Sequence, residues 1–456
     1  MRAIDIYNDG LARHPRDFDL AYNKARLELD LSQQLTLVAK LPVSLIELLQ
    51  QAQKSHRYAR TLNEENPDVL FNSAQVQIIL AEEISEDATY AAHDSPEQLL
   101  REALELLNAC FTRQEMLMQE QKAPPSDDGD GGIQGGVSLD DNSSGQGDIS
   151  SEIEQSATIQ HPVTATDMLD TACASLSALT LLISLGNVAD LSTLSAMANN
   201  LVTTTIPQCM SQLHEDQRSE ATAEVALQSA SFTAAMSNAE FLANSIPLST
   251  YASRIEVFET LNLQSDLAVI CTYADTLVEL ATATIQRQSS DDSAIEPLAA
   301  TESAPSRSIG SVAWQALSRA QSLYGVASKL QNNQDLTAHR KATIYESRGD
   351  VEMVRFRLTA PEWQLSTSLQ EKAKDLVNNA SIYYRGAAQQ YQNSGDDRAA
   401  LKARIRETVA KVSASRVPGT SDQTRSEYMA QLSMHGIASE IVVKDMIAEN
   451  LIVNLE

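Results

Sequence analysis

The chain has 456 residues, and its 61 Asp and Glu against 34 Lys and Arg give a formal net charge of -27 with only 21% charged residues. The excess acid reflects scarce base, which disfavours a general nucleic-acid binder, because phosphate contacts need clustered Lys and Arg. The balance suits a protein whose partners are neutral or basic. The length allows about three average domains or one elongated helical array.

Residues 1–20 mix Arg2, Asp5, Asp9, Arg13, Arg16, Asp17 and Asp19 and lack the apolar core of a signal peptide. Ala3, Tyr7 and Gly10 recur at helical spacing, Pro15 interrupts, and "FDLAYNKARLEL" follows with Tyr22, Asn23 and Ala25. Small residues one turn from an aromatic let two helices approach closely, and the proline ends one helix before the next begins. Ala52, His56 and Ala59 repeat the first pattern, and "NPDVLFNSAQ" repeats the second through Phe71, Asn72 and Ala74. Ala103, Leu107 and Cys110 supply a third piece. Extra residues at 31–45 and 83–96 make the period irregular. His56, at the aromatic position of its helix, is expected to pack rather than to catalyse.

Residues 121–160 contain seven glycines, eight acids and one lysine. Such a segment buries too little apolar surface to offset its ordering entropy, so it is expected to be a disordered acidic linker. "DDGDGG" lacks the ligand offsets and flanking helices of a calcium loop.

Residues 161–287 are alanine-rich, with apolar Met168, Leu169, Ala172, Leu176, Leu179 and Ile183 at helical spacing. The uncharged run 171–189 carries too many Ser, Thr, Gly and Asn residues for a membrane span, so it is expected to be a buried helix. Further helices are expected over 190–205, 219–244, 249–260 and 266–286, with breaks at Pro207 and Pro247. Residues 288–310, with Pro297 and Pro305, read as a second flexible linker.

From 311 to 456 the patterned helices return. Ala320, Tyr324 and Ala327 repeat the Ala3, Tyr7, Gly10 spacing, Ala342, Tyr345 and Gly349 follow, with the glycine expected to end its helix, and Ala380, Tyr384 and Ala387 form another match. Helical spacing puts Tyr324, Tyr345 and Tyr384 in the core, and Tyr383 and Tyr384 cannot share one face. Residues 396–415 and 421–456 read as two final helices.

These small-residue and aromatic patterns, at both ends of the chain and over about half of it, resemble the tetratricopeptide repeat (TPR) family. The resemblance implies an all-α fold, an α-α superhelix or TPR-like solenoid with irregular repeats and a disordered acidic insertion. Met1 falls within what would be the second helix of a first repeat, so an atypical cap or an upstream first helix is expected. The units are then 1–120 and 311–456 as repeat-bearing ends, 121–160 and 288–310 as linkers, and 161–287 as an alanine-rich helical region.

TPR proteins use a concave face to bind proteins or peptides, and co-chaperone members carry a clamp of Lys, Asn and Arg. Only a partial echo is present, in Asn23 and Asn72 with Lys24 and Arg26. Asn23, Lys24, Asn72 and Arg340 are the candidate partner-binding residues, since Asn pairs with an extended backbone and a base with a carboxylate; helix bridging is the competing use of the two asparagines.

No P-loop, dinucleotide fingerprint, HExxH, GxSxG or kinase motif occurs, and the seven histidines are dispersed. Cys110, Cys173, Cys209 and Cys271 show no metal-site spacing and are expected to be buried thiols of an intracellular protein. No catalytic residue, metal ligand or cofactor is expected. Residues 311–420 carry a net +6, while 1–120, 121–160, 161–310 and 421–456 carry -9, -7, -13 and -4. The basic cluster Lys402, Arg404, Arg406 and Lys411 lacks interleaved aromatics, which disfavours RNA. The leading expectation is a non-enzymatic scaffold or assembly adaptor, cytoplasmic with the nucleus also open, that binds a protein or peptide and neither DNA nor membrane. An acidic carrier for a basic client comes second, and an enzyme with an unrecognised helical site third.

Overall fold

The computed structural model describes residues 2–38, 40–86, 95–122, 162–186, 191–290, 309–330, 336–415, 422–449 and 451–452. All regular structure among them is helical. The elements are α1 (Arg2–Arg13), α2 (Phe18–Ser32), α3 (Leu35–Val38), α4 (Leu45–Leu62), α5 (Pro67–Glu86), α6 (Pro96–Lys122), α7 (Ala165–Ser184), α8 (Leu191–Asn200), α9 (Ile206–Gln212) and α10 (Glu215–Leu242). There follow α11 (Leu248–Ile255), α12 (Leu267–Ser290), α13 (Ile309–Ala327), α14 (Ala338–Leu358), α15 (Thr367–Gln370), α16 (Ala373–Ser394), α17 (Asp397–Ser415), α18 (Asp422–Met434) and α19 (Ile437–Ala448). The expected acidic linker falls almost wholly outside the described residues, as does most of 288–310.

Side-chain caps fix where the helices start. Ser44 and Glu47 form a reciprocal capping box at α4, and Thr164 and Asp167 form another at α7. The side chains of Asp17, Asn66, Ser95, Asp266, Thr337 and Asp396 accept from backbone N–H groups in the first turns of α2, α5, α6, α12, α14 and α17. Each cap satisfies a donor that the helix itself cannot, at a worth of about 1 kcal/mol.

Packing is sequential. The pairs α2 with α4, α5 with α6, α12 with α13, and α14 with α16 form close hairpins, and α2, α5, α7, α10, α12 and α14 adjoin in series as an inner row. This is a repeat-like solenoid in which each helix is covered by its chain neighbours. Alanines fully removed from solvent, among them Ala25, Ala52, Ala59, Ala74, Ala81 and Ala103, permit the close approach that the sequence spacing implied. Two large apolar cores result, and α10 serves both. Ala230, Ala234 and Phe241 face the C-terminal core, whereas Phe232, Ala235 and Met236 face the N-terminal one.

Helices α7 and α12 are each long and apolar enough to span a membrane, but more than half of each apolar stretch is buried against neighbouring helices. All four cysteines are buried free thiols. His56 is buried, with Nδ1 2.9 Å from the Ala52 carbonyl one turn back.

Several expectations are corrected. Pro207 does not break its helix. A π turn at Leu201–Thr205 joins α8 to α9, and its wider ring, closed by the Ile206 N–H on the Leu201 carbonyl, realigns the backbone so that Pro207 sits in a new first turn. Gly349 does not end a helix either: α14 runs on to Leu358, and Gly349 is the point where the Tyr384 ring of α16 approaches, so that a Cβ there would lie 2.5 Å from Tyr384 Cε1. Tyr345 is half-buried against Gly386, while Ala342 below it is fully buried. The last expected helix is two, α18 and α19, separated at Gly436, which has φ of 53°.

Arg406 is no surface base. It is 3% exposed, with Nη1 2.6 Å from Asp350, Nη2 2.7 Å from Glu449 and Nε 3.4 Å from Glu346, while the Tyr384 hydroxyl donates to Asp350 at 2.7 Å. The guanidinium thereby ties α14, α16, α17 and the end of α19 together. Burial pushes Asp350 up to about 6, with Arg406 opposing and Glu449 and Glu346 reinforcing the rise. Lys411 is paired with Glu407 at 2.7 Å, so two of the four bases weighed for RNA are engaged within the fold.

Replacing Arg406 by Met should cost ~3–5 kcal/mol, because three carboxylates lose their common partner. Lys402→Met should stay within ~0.5 kcal/mol. Gly349→Ala should cost ~1–3 kcal/mol through the forced displacement of Tyr384. Urea melts of the three variants check all three values.

Candidate functional site

A groove of about 730 Å³ runs across α2, α5, α7 and α10. Its walls follow from helical periodicity. On α2 the lining positions are 22, 26, 29, 30 and 33, on α5 they include 68, 71, 72, 75 and 78, on α7 they include 167, 170, 174 and 177, and α10 gives 224 and 228. Each set is one stripe of a helix at three-to-four spacing. Gln114 of α6 reaches the groove from the layer behind.

The lining is strongly biased in charge. Asp30, Asp68, Asp167, Asp170 and Glu224 face a single base, Arg26, whose Nε lies 3.9 Å from Asp30 on the same helix with both side chains mostly exposed. An exposed pair of that geometry neutralises little beyond itself. Asp170 is pushed up to about 6 by burial and then by the like charges of Glu224 and Asp167. The neighbouring Cys173 thiol is pushed up to about 12 by burial, with Glu224 and Asp170 adding to it, so it is an inert thiol. Beyond burial, the like charges of Asp167, Asp170 and Glu224 thus act on one another.

Amides and rings complete the surface. Gln33, Asn72, Gln75, Gln114 and Gln228 line it together with Tyr22 and Phe71. The Asn72 amide donates to the Tyr22 hydroxyl at 2.7 Å and so joins α5 to α2, while Tyr22 stacks on Phe18 at 5.7 Å between centroids. Burial first, then Asp68, raises Tyr22 to about 12, and it stays a neutral phenol at physiological pH.

The four sequence candidates do not converge. Asn72 lines the groove and also bridges two helices. Asn23, its counterpart one repeat earlier, is exposed and is not part of the groove. Lys24 faces a separate cavity of about 420 Å³ beside α4, where it lies 3.7 Å from Glu28, a fully buried carboxylate that burial raises above its usual range. Arg340 is exposed at the start of α14, near Asp275 of α12. The groove acids escaped sequence reading because they are dispersed over 200 residues, and no short motif marks them.

The acidic surface continues along the inner row. Solvent reaches Asp275 and Glu279 of α12, but crowding by the surrounding helices disfavours their charge and raises both, Glu279 to about 7 with Asp275 adding to the rise. The buried Tyr324 donates its hydroxyl hydrogen to Asp275. Among the described residues, no three His, Cys, Asp or Glu side chains converge in a way that could hold a metal ion.

No protein-family model and no curated protein matches the chain. Among solved structures it is similar to a circular tandem repeat protein with novel repeat topology and enhanced subunit contact surfaces, at a TM-score of 0.30 and 14% identity over 98% of this chain and 90% of that one.

The Asp170 carboxyl should titrate with a midpoint of about 6, as read by carbon-detected NMR. Glu224→Gln should lower that midpoint, since it removes a like charge that favours the protonated form. An unchanged midpoint would separate the two carboxylates in space.

Proposed function

We propose that this chain is a non-catalytic interaction module whose acidic groove receives a basic, extended segment of a partner protein. The observation that carries the reading is the groove itself, where five carboxylates and one internally paired guanidinium share a surface with five amide side chains. Carboxylates would pair with Lys and Arg, while amides offer both donors and acceptors to a peptide backbone in extended conformation. The chain's net charge of -27 would draw such a segment in and repel acidic competitors.

Within this reading the helix pairs are degenerate TPR-like units, and the basic segment belongs to a client that the module carries or delivers for assembly. That role unites the adaptor and carrier alternatives, and the sign of the groove favours the carrier. Asn72 is the one sequence candidate retained for contact with the segment. An acidic 121–160 linker would add to the attraction from outside the groove.

The test is fluorescence anisotropy with a labelled dodecapeptide of three Gly-Lys-Ser-Arg units, against an acidic peptide in which Glu replaces each base. The basic peptide should bind and weaken with added salt, and the acidic one should not bind. The Asp170→Asn, Glu224→Gln double variant should weaken binding at least about tenfold, or ~1.4 kcal/mol. A bound cation favours the ionised form of Asp170, so its midpoint falls from about 6 on binding. Affinity should therefore be full above pH 7 and decline as the pH drops through 6, and Asp170→Asn should flatten that decline. Equal affinity for the basic and acidic peptides would sink the proposal.

A further inference from the structure

Gln114 stands apart from the rest of the groove. Its side chain is 4% exposed and lines the groove, its Nε2 reaches the Asp167 carbonyl at 3.4 Å, and its Oε1 has no hydrogen-bond partner among the described residues. A buried amide oxygen left without a donor costs about 1–3 kcal/mol, so the fold carries an acceptor that it does not satisfy from within. The carbon chain of Gln114 is held by its position on α6. One turn earlier on that helix, Cys110 is raised first by burial, with the charges of Asp68 and Asp167 adding to it, which places this part of α6 between the acids of α5 and α7.

We infer that this part of the groove is an arginine subsite, in which the Gln114 carbonyl and the carboxylates of Asp167, Asp170 and Glu224 receive one guanidinium of the bound segment. The inference rests on the reading of the groove as the seat of a basic segment and goes further by naming the side chain that anchors it. Guanidinium presents five N–H donors in a rigid planar fork, so it can satisfy an amide oxygen and carboxylates on different helices at once. An ammonium is a compact, strongly hydrated charge with three donors, and it would lose more hydration in reaching an acceptor this deeply buried. Phe71 and Tyr22 line the same groove, and a guanidinium plane stacks on such rings where an ammonium does so less well. One Asp167 oxygen accepts from the backbone and hydroxyl of Thr164, which fixes this carboxylate in place before any ligand arrives.

Several of the chain's own bases are already engaged. In the positive stretch 311–420, Arg319 pairs with Glu259, Arg355 with Glu352, Arg385 and Lys411 with Glu407, and Arg406 with its three carboxylates. The 121–160 segment has a single lysine among eight acids. The guanidinium is assigned to the partner's basic segment, whose charge complements the groove.

The experiment compares labelled dodecapeptides of four Gly-Ser-Arg, four Gly-Ser-Lys or four Gly-Ser-citrulline units binding to the full chain. Citrulline keeps the shape of arginine without its charge. The arginine peptide should bind at least about tenfold more tightly than the lysine peptide, and the citrulline peptide weakest. Gln114→Met keeps the length of the side chain and removes the acceptor, so it should bring arginine and lysine peptides within about twofold of each other. Gln114→Glu restores an acceptor and should keep the arginine preference, which separates loss of the acceptor from a packing defect. Equal affinity of the unsubstituted chain for the two basic peptides overturns the subsite and leaves the groove reading intact, as does a preference that survives Gln114→Met. If neither basic peptide binds at low salt, the groove reading falls and takes the subsite with it. Should Gln114→Met fail to fold by circular dichroism, the comparison of arginine and lysine peptides on the unsubstituted chain and on Gln114→Glu still decides.

Discussion

Everything in this structure depends on each helix being covered by its neighbours in sequence. The described residues contain no strand pairing and no disulfide, so burial of alanine-rich and leucine-rich stripes against the next helix supplies the cohesion. Helix α10 shows the constraint most clearly. Its small residues serve two cores on opposite sides, and it shows almost no separation into an apolar and a polar face. A helix with that pattern has no stable position alone and takes its place only when α7 and α12 are both present. The N-terminal and C-terminal cores are therefore parts of one array, although the most readable repeat patterns lie towards its two ends.

This dependence explains what could be read from sequence. Aromatic and small residues at helical spacing locate the hairpins, because packing between adjacent helices is a local matter, and Ala342, Tyr324 and Tyr384 are buried as that spacing requires. Features that depend on a distant partner were not legible. Gly349 looks like a helix terminator until Tyr384, 35 residues later, is seen to occupy the space where its Cβ would be. Pro207 looks like a break because a π turn has no sequence mark of its own. Arg406 looks like one of several exposed bases because the three carboxylates around it come from α14 and from the far end of α19. The groove belongs to this second class. Asp68, Asp170 and Glu224 are unremarkable acids in three separate helices, and only the stacking of α5, α7 and α10 turns them into one surface. Asn72 was legible since it repeats within a local motif, and Gln114 was not, since its meaning lies in the layer behind that surface.

The charge distribution has a structural logic as well. In the C-terminal part, several bases are engaged within the fold: Arg406 joins four helices, Arg355 and Arg348 lie over the rings of Trp314 and Tyr383, and Arg319 binds Glu259 bidentately. In the groove of the N-terminal part, among the described residues, the lining base is Arg26, paired with Asp30, and Asp170 lies beside the like charges of Glu224 and Asp167. Burial first, and then the like charges of Glu224 and Asp167, raise Asp170 towards 6, which is a local cost to the fold. Apolar burial under the groove offsets it, since Cys173, Leu176 and Phe232 pack directly behind the acidic stripes of α7 and α10.

A segment seated in the groove would touch α2, α5, α7 and α10, four successive helices of the inner row. In a solenoid each unit contacts mainly its neighbours, and the spacing between successive helices sets the curvature. Contacts made simultaneously to four of them favour one spacing over all others, so occupancy and curvature are thermodynamically linked. Neutralising Asp170 and Glu224 acts in the same direction, because it removes the repulsion that pushes α7 and α10 apart on the groove side. On the proposed reading the carboxylate row is the recognition surface, and a basic segment relieves the repulsion between Asp170 and Glu224 as it binds.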